Sequence, residues 1–421
     1  MNPVAMNVPS PIGDHVALAG CILAMSGLGL VACGGSRPST PTSPTATPPP
    51  VVTTAAPVPV PASVIPACSG GSAFFDASPV ALGDFLAFRP LGLLSPPIHM
   101  FPAKHSAFSM TLPGTTPVRV PVRSPGKVWV KEIWEATFST GGANYQLYVY
   151  PCTDVRVYFG HVAALSEKLI AEMRKVTPSC NSFQDGTALV TTCRHENLAI
   201  ALESNEPFGT GPDSAGVDFG VFDFRLSPAA FVRIDHYDHF YPYSASPLDY
   251  FTADVRTAIA NKTGSVFGSP LRTASPIGGS FMQDVAGTAQ GNWFLPGRYH
   301  SNTTDLGPFL GLASDYVNPA QPMIAMGSSV RGISMGLYSF TPETQGVINR
   351  AFRSVVPDGS VYCYDRFTRG QSTGGLPLGQ PNGVLLMAMP TDTTLRVELI
   401  AGSACASANR VMSGNATAFE R

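Results

Sequence analysis

Residues 128–134 have the sequence VWVKEIW, a run of β-branched and aromatic side chains that follows a Ser-Pro-Gly turn at 124–126. Such runs are typical of β-strands, and Pro and Gly mark the turns between them. Comparable runs lie at 118–120, 145–150 and 155–159. These stretches predict a mainly β domain built from consecutive antiparallel strands.

Two segments interrupt the strand pattern with helical spacing. Leu165, Leu169 and Met173 recur every four residues, and charged side chains occupy the positions between them. Val255 and Ile259 show the same spacing after a Pro-Leu-Asp stretch that can start a helix. We therefore expect one or two helices packed against the sheet.

A second β-rich unit is predicted from 277 to 421, after a first unit from 67 to 261. Residues 395–399 alternate apolar and polar side chains, which predicts a strand with one buried face. The apolar run at 384–389 precedes it, and a polar loop joins the two as a hairpin. The unit is expected to be a small sandwich or barrel. Its other predicted elements are a strand at 360–364 and a short helix within 343–355.

The composition limits the classes of function. Charged residues make up 13% of the 421 residues, the net charge is −2, and no basic patch is visible. Nucleic-acid binding is therefore not expected. Hydrophobic residues make up 44%, which is enough to form folded cores.

The N-terminus has the features of an export signal. Residues 16–32 are apolar and uncharged, too short for a typical membrane span and suited to a signal peptide. The LVAC sequence ending at Cys33 resembles a bacterial lipobox, which implies cleavage after residue 32 and lipidation of Cys33. Gly34 then favours an outer-membrane or cell-surface destination. An uncleaved anchor or a plain secretory signal is the alternative, because Lys and Arg are absent before the apolar run.

Residues 33–66 are rich in Pro and Thr and are expected to form a tether. Proline holds such a chain extended at about 3 Å per residue, so the tether could reach roughly 100 Å. A lipid-anchored protein with this tether would contact the membrane only through its N-terminal lipid and could reach the cell wall.

Six cysteines follow Cys33, and none belongs to a C-x-x-C motif. A structural zinc site is therefore not expected. An even number of cysteines in an exported chain predicts disulfides, for which 15 pairings exist. Cys363 with Cys405 is the favoured pair, because both lie in the last unit. Free buried thiols are the alternative.

Three short motifs in the first unit carry a resemblance. They are HSAFS at 105–109, YFGHV at 158–162 and GVDFGV at 216–221, which follows a Gly-rich stretch. In this order they resemble the lysostaphin-type (LytM-like) zinc endopeptidases, which cleave peptidoglycan cross-bridges. The resemblance covers roughly residues 95–225 and implies an antiparallel sheet that carries one zinc ion.

Several positions depart from the ligand set that the resemblance implies. His105 matches the first zinc ligand, but Ser109 stands where the family has Asp, and Asp218 stands where it has the last His. A hydrolytic zinc needs three protein ligands and one open position for water. A serine hydroxyl is a poor substitute for a carboxylate, so the family mechanism cannot operate unchanged.

The catalytic positions are also incomplete. His161 matches the histidine of the Tyr-x-His motif, to which the resemblance assigns a catalytic role. Gly216 replaces the other catalytic histidine, and Gly220 replaces the final glutamate. His105, His161 and Asp218, joined by His99, could still form a metal site, so the resemblance implies one zinc or none.

Three functions are compatible with these residues. The first is a degenerate peptidase-like domain that binds peptidoglycan or a partner cell-wall hydrolase. The second is a divergent metal-dependent hydrolase that uses His105, His161 and Asp218. The third is a surface structural or adhesive protein in which the cleft has no role.

Two further stretches contain residues that could bind ligands. DHYDH at 235–239 could share a metal, but the surrounding Tyr and Pro residues favour an aromatic loop. QDVAGTAQGNWF at 283–294 contains Trp293, which could stack on a sugar or anchor a core. Anchoring the core is the favoured interpretation.

Overall fold

The computed structural model describes residues 64–421, except 186, 302, 304, 369–378, 380 and 403. The predicted signal peptide, the predicted lipidation site at Cys33 and nearly all of the tether lie outside the described residues. The described chain is mainly β, with several antiparallel sheets, as the strand pattern predicted.

The strands fall into two groups along the chain. The first group comprises β1 (Ala87–Arg89), β2 (Ser106–Ser109), β3 (Val120–Arg123), β4 (Val128–Phe138), β5 (Ala143–Cys152), β6 (Val155–Val162), β7 (Ala164–Leu165), β8 (Ser179–Asp185), β9 (Ala188–His195), β10 (Ile200–Leu202), β11 (Pro207–Gly211), β12 (Gly216–Asp223) and β13 (Ser244–Ala245). The second comprises β14 (Gly291–Trp293), β15 (Leu310–Ser314), β16 (Pro322–Met326), β17 (Gly336–Ser339), β18 (Tyr362–Tyr364), β19 (Val384–Thr391), β20 (Thr394–Ile400) and β21 (Thr417–Glu420).

Helices are few and short in the described chain. The α-helices are α1 (Glu167–Met173) and α2 (Ala253–Ala260), and 3-10 turns lie at Ile234–His236, Tyr241–Tyr243, Pro247–Tyr250 and Phe352–Ser354. Within the part of the chain that the structure describes, neither α-helix has the length and apolar character needed to cross a membrane.

A ten-stranded sheet dominates the first half of the chain. Eight of its strands follow one another in the order β1-β2-β12-β6-β5-β4-β9-β8, with β10 paired to β4 and β13 to β12. The central strand β12 is buried along its whole length. Val217, Phe219 and Val221 alternate into the apolar core, so Asp218 and Gly220 face the opposite side of the sheet.

The predicted helices are present where the spacing placed them. In α1, Leu169 and Met173 are buried, and the Ser166 hydroxyl accepts a hydrogen bond from the Leu169 amide at 3.4 Å. That N-cap satisfies one of the amides that a helix leaves unpaired at its start. In α2, Ile259 is buried in the same core.

The prediction of a short helix within 343–355 is wrong for most of that range. Only the 3-10 turn at Phe352–Ser354 forms. Asn349 adopts a left-handed conformation with φ 47°, and its amide donates to the Cys363 carbonyl at 2.8 Å. The segment runs beside β18, so pairing with a strand outweighs its weak helical spacing.

The second half of the chain forms two four-stranded antiparallel sheets, β14-β15-β16-β17 and β18-β19-β20-β21. The predicted hairpin is β19–β20, in which Met387 pairs with Val397. Leu310 and Ile324 of one sheet share an apolar cluster with Leu385 of the other. A further cluster joins Phe101 of the first half to apolar residues of the second, so the two predicted units pack against each other.

Three disulfides cross-link the described chain: Cys68–Cys152, Cys180–Cys193 and Cys363–Cys405. The last is the pair that the sequence favoured. Cys363 lies on β18, and the disulfide packs in a small apolar cluster with residues of β19. Disulfides are typical of exported proteins, because reducing compartments keep thiols free.

Candidate functional site

The sheet order brings three of the predicted site residues together. His105 immediately precedes β2, Asp218 lies on β12 and His161 lies on β6, and these three strands are neighbours. Asp218 is opposite Ala107 on one side and opposite Gly160 on the other. The site is therefore assembled across three strands whose residues are far apart in the sequence.

A bulge in β6 directs His161 toward this site. Tyr145 and Leu147 on β5 pair with Val162 and Phe159 on β6, so β6 has one residue more than its partner. His161 has a φ of 61°, a left-handed conformation that is uncommon for residues other than glycine. The bulge breaks the strand alternation and places the imidazole on the same face as Asp218.

Asp218 is the centre of the site, and its side chain is only 8% exposed. His105 Nδ1 lies 3.6 Å from Oδ1, and His161 Nε2 lies 3.6 Å from Oδ2. Arg89 Nη2 lies 3.4 Å from Oδ1. Burial alone would raise the pKa of Asp218, but the neighbouring His105, His161 and Arg89 outweigh burial and lower that pKa. Asp218 is therefore an ionised acceptor.

Two histidines on one side of the site are neutral at neutral pH. Burial and the neighbouring His105 lower the pKa of His99 to about 3. Burial also lowers the pKa of His105, whose Nδ1 lies 3.2 Å from the Ser106 carbonyl oxygen. The His99 and His105 ring centroids are 5.2 Å apart. The structure thus places His99 next to the cluster, as predicted, but against His105 rather than against the carboxylate.

Residues that the sequence analysis missed hold His161 in place. Its Nδ1 lies 3.0 Å from Asp213 Oδ1 and 3.3 Å from Asn144 Nδ2. Asp213 belongs to the loop between β11 and β12, and Asn144 is the second residue of β5. The position of Asp213 just after the Gly-rich stretch was a signal that could have been used. Asn144 and Arg89 carry no comparable sequence signal.

Glycines shape the face around Asp218. A Cβ at Gly216 would lie 2.5 Å from the Phe108 carbonyl oxygen, so this position cannot accept a side chain without moving the backbone. A Cβ at Gly220 would lie 3.0 Å from the Cβ of His105. A Cβ at Gly160 would collide with the Tyr158 hydroxyl. Gly220 and Gly160 thus make room for the side chains of His105 and Tyr158, and Gly216 allows the close approach of β2.

The residues present do not fit a zinc ion as the lysostaphin-type family holds it. Ser109 is buried, and its hydroxyl has no hydrogen-bond partner within the described residues. The Arg89 guanidinium already neutralises Asp218 from 3.4 Å. In the part of the chain that the structure describes, no three His, Cys, Asp or Glu side chains are arranged to hold a metal ion.

The same face continues into a row of aromatic side chains. The Tyr158 ring centroid lies 5.6 Å from that of His105 and 5.6 Å from that of Tyr148. Trp134 follows, 6.2 Å from Tyr148. Burial raises the pKa of Tyr148 to about 12, so its hydroxyl stays protonated. The arrangement combines hydrogen-bonding groups with an aromatic surface, which suits a polar ligand that has apolar faces.

The other His and Asp stretch, at 235–239, serves packing. Asp238 accepts a hydrogen bond from Lys104 Nζ at 3.2 Å and lies 3.4 Å from His300 Nδ1. The His236 ring stacks on Tyr299 with centroids 3.7 Å apart. These contacts join the first half of the chain to the second, in agreement with the favoured interpretation of an aromatic loop.

Comparisons with protein-family models, with curated proteins and with solved structures find no match for this chain. The lysostaphin-type resemblance therefore remains a prediction from three short motifs. The assignment of a function depends on the residues around Asp218.

Proposed function

We propose that this protein is an exported, lipid-anchored envelope protein that binds peptidoglycan, without cutting it, at the cleft around Asp218. The observation that supports the proposal is that Arg89, His105 and His161 already surround the Asp218 carboxylate. A side chain at Gly216 would also collide with the backbone of β2, so the family's second catalytic histidine has no space there. A scaffold that resembles a hydrolase but lacks its reactive groups is suited to binding.

The chemistry of the cleft supports a ligand rich in amides and sugars. Neutral imidazoles can both donate and accept hydrogen bonds. Arg89 Nε and Asn144 Oδ1 are buried and have no hydrogen-bond partner within the described residues. Buried polar atoms of this kind are rare in proteins and are often satisfied by water or ligand. Tyr158, which is partly exposed, supplies aromatic surface beside them on which a sugar ring can pack.

The proposed location rests on the N-terminal features and the disulfides. The lipobox-like sequence at Cys33 and the Pro-rich tether would hold the folded part away from the membrane, within reach of the cell wall. The three disulfides agree with folding outside a reducing compartment. A cell-wall hydrolase could be held at the same cleft, in competition with peptidoglycan.

Co-sedimentation with purified cell-wall sacculi tests this proposal. We expect the wild-type protein to co-sediment. Asp218→Asn should weaken binding by about tenfold or more, because a hydrogen bond made by a charged group contributes roughly 1.5–3 kcal/mol. His105→Gln should act in the same direction. Asp235→Asn is the matched control, because Asp235 is exposed and pairs with Arg233 outside the cleft.

Two results would contradict the proposal. In one, sacculi would fail to retain the wild-type protein, or would retain Asp218→Asn as well as Asp235→Asn. In the other, the protein would release soluble fragments from sacculi, and a chelator would stop the release. Circular dichroism of each variant separates loss of binding from loss of folding.

A divergent metal-dependent hydrolase is the second candidate, favoured by one observation. His105 Nδ1 and His161 Nε2 each lie 3.6 Å from a different oxygen of Asp218, so a small inward movement would bring three donors together. The residues that would hold the metal are His105, His161 and Asp218, with His99 beside them.

Elemental analysis of protein purified without chelator and without a histidine tag distinguishes the two candidates. The binding proposal predicts no stoichiometric zinc or iron. About one metal ion per chain, lost in His105→Ala and retained in His239→Ala, would establish the hydrolase as the better candidate. His239 is a suitable control because it is exposed and lies outside the cluster.

A further inference from the structure

The strand β8 is an open edge of the ten-stranded sheet. It pairs with β9 on one side, and among the described residues no further strand follows it. Residues 179–182 are exposed. Within the described residues, no backbone hydrogen bond joins Ser179–Phe183 to any segment other than β9. The backbone groups on the outer side of this stretch are therefore available for pairing.

Two other sheet edges within the described residues are covered. At the opposite edge of the same sheet, the Phe88 amide donates to the Lys262 carbonyl at 2.9 Å, and the Gly264 amide donates to the Phe88 carbonyl at 3.0 Å. At the edge strand β18, the Cys363 amide donates to the Val347 carbonyl at 2.9 Å. Proteins commonly cover edges in this way because an open edge recruits other strands.

The residues of β8 also lack the features that discourage pairing. The stretch SCNSF at 179–183 contains no Lys, Arg or Pro, the residues that commonly protect an exposed edge. The Cys180–Cys193 disulfide and the hydrogen bond between the Ser182 and Thr191 hydroxyls, at 2.8 Å, fix the hairpin. A fixed, neutral and exposed edge is a template for another strand.

The register identifies which backbone groups point outward. Cys180 lies directly opposite Cys193, with Cα atoms 4.0 Å apart. This close spacing is typical of a pair that does not exchange backbone hydrogen bonds. The amide and carbonyl groups of Cys180 and Ser182 therefore point away from β9, whereas those of Asn181 point toward it.

We propose that β8 pairs with β8 of a second copy of this chain, in antiparallel orientation and centred on Asn181. In this arrangement Cys180 lies opposite Ser182 of the second copy, and the pair of copies forms about four backbone hydrogen bonds. Ser179 lies opposite Phe183, and no like charges meet. The neutral stretch is thus complementary to itself.

A contact through one short strand is small, so we expect a weak dimer in solution. Anchoring both copies to one surface would raise their effective concentration and favour the pairing. The inference does not depend on the proposed function, because β8 lies at the far edge of the sheet from β1 and β2.

Sedimentation velocity of the full chain over a series of concentrations tests the dimer. Ser182→Pro removes one outward amide and leaves the pairing with β9 intact, because proline is tolerated on the outer side of an edge strand. Ser182→Ala is the matched control and keeps the amide. We expect wild type and Ser182→Ala to dimerise alike. Ser182→Pro should dimerise only at protein concentrations at least about tenfold higher.

Hydrogen exchange of the wild-type protein provides a second measurement that needs no variant. The Cys180 and Ser182 amides should exchange more slowly as the protein concentration rises, whereas the Asn181 amide should be protected at every concentration. A wild-type chain that stays monomeric throughout the series, equal dimerisation of the Pro and Ala variants, or exchange independent of concentration would overturn the proposal.

Discussion

Replacing Arg421 by methionine is expected to lower the free energy of unfolding by about 3–5 kcal/mol, the range found when one partner of a buried charged interaction is removed. Arg421 is only 2% exposed. Its Nη1 donates to the Gln290 carbonyl at 2.8 Å, and its Nη2 donates to the Val285 carbonyl at 3.1 Å and to the Thr288 carbonyl.

The loss is expected to be large because Arg421 itself is almost completely removed from water. Burial lowers the pKa of Arg421, and attraction to Asp284 opposes that change. The guanidinium carbon lies 4.2 Å from the centroid of the Trp293 ring, which is itself fully buried. Methionine would fill much of the space but would leave the carbonyl oxygens without donors.

Denaturant unfolding measures this effect, with Arg410→Met as the matched control. Arg410 is exposed, so its replacement should change the free energy of unfolding by less than about 0.5 kcal/mol. A loss below about 1 kcal/mol for Arg421→Met would mean that the carbonyl oxygens find other donors or water. The interpretation of residues 285–290 as a cage for the guanidinium would then be wrong.

The contact between Arg421 and Trp293 also shows how far the sequence could predict the core. The composition of 283–294 favoured Trp293 as a core anchor, and the residue is fully buried. Its partner, Arg421, directly follows β21 and is distant from Trp293 in the sequence. No local sequence pattern connects the two residues. Local spacing predicts which side chains are buried but not which distant side chains they meet.

The candidate site shows the same division. The motifs predicted His105, His161 and Asp218 as neighbours, and the order β2-β12-β6 places them together. Arg89 was missed because an ion pair across strands depends on the sheet register, whereas Asp213 was missed although it lies just after the Gly-rich stretch. The bulge that directs His161 into the site was also not predictable, since it arises from the mismatch between β5 and β6.

Replacing Gly216 by histidine, the residue that the resemblance places there, is expected to destabilise the protein by about 3 kcal/mol or more and to add no zinc binding. The first side-chain atom is sufficient to cause the loss. A Cβ would lie 2.5 Å from the Phe108 carbonyl oxygen and 3.3 Å from the Cα of Ser109, and both belong to the paired strand β2. Backbone atoms in the middle of a sheet cannot move aside cheaply.

Gly216→Ala provides the decisive comparison, because alanine adds only the Cβ. If the close approach of β12 to β2 excludes a side chain, alanine and histidine should cost nearly the same free energy. Gly83→His is the matched control, since a Cβ at Gly83 has no atom within 4 Å. Denaturant unfolding and elemental analysis measure stability and zinc in the same preparations. A stable Gly216→His protein that gains one zinc per chain would show that the residues around Asp218 can hold a metal ion once a histidine is added at this position. Equal losses for the two variants would show that the close approach of β12 to β2 leaves no space for that histidine.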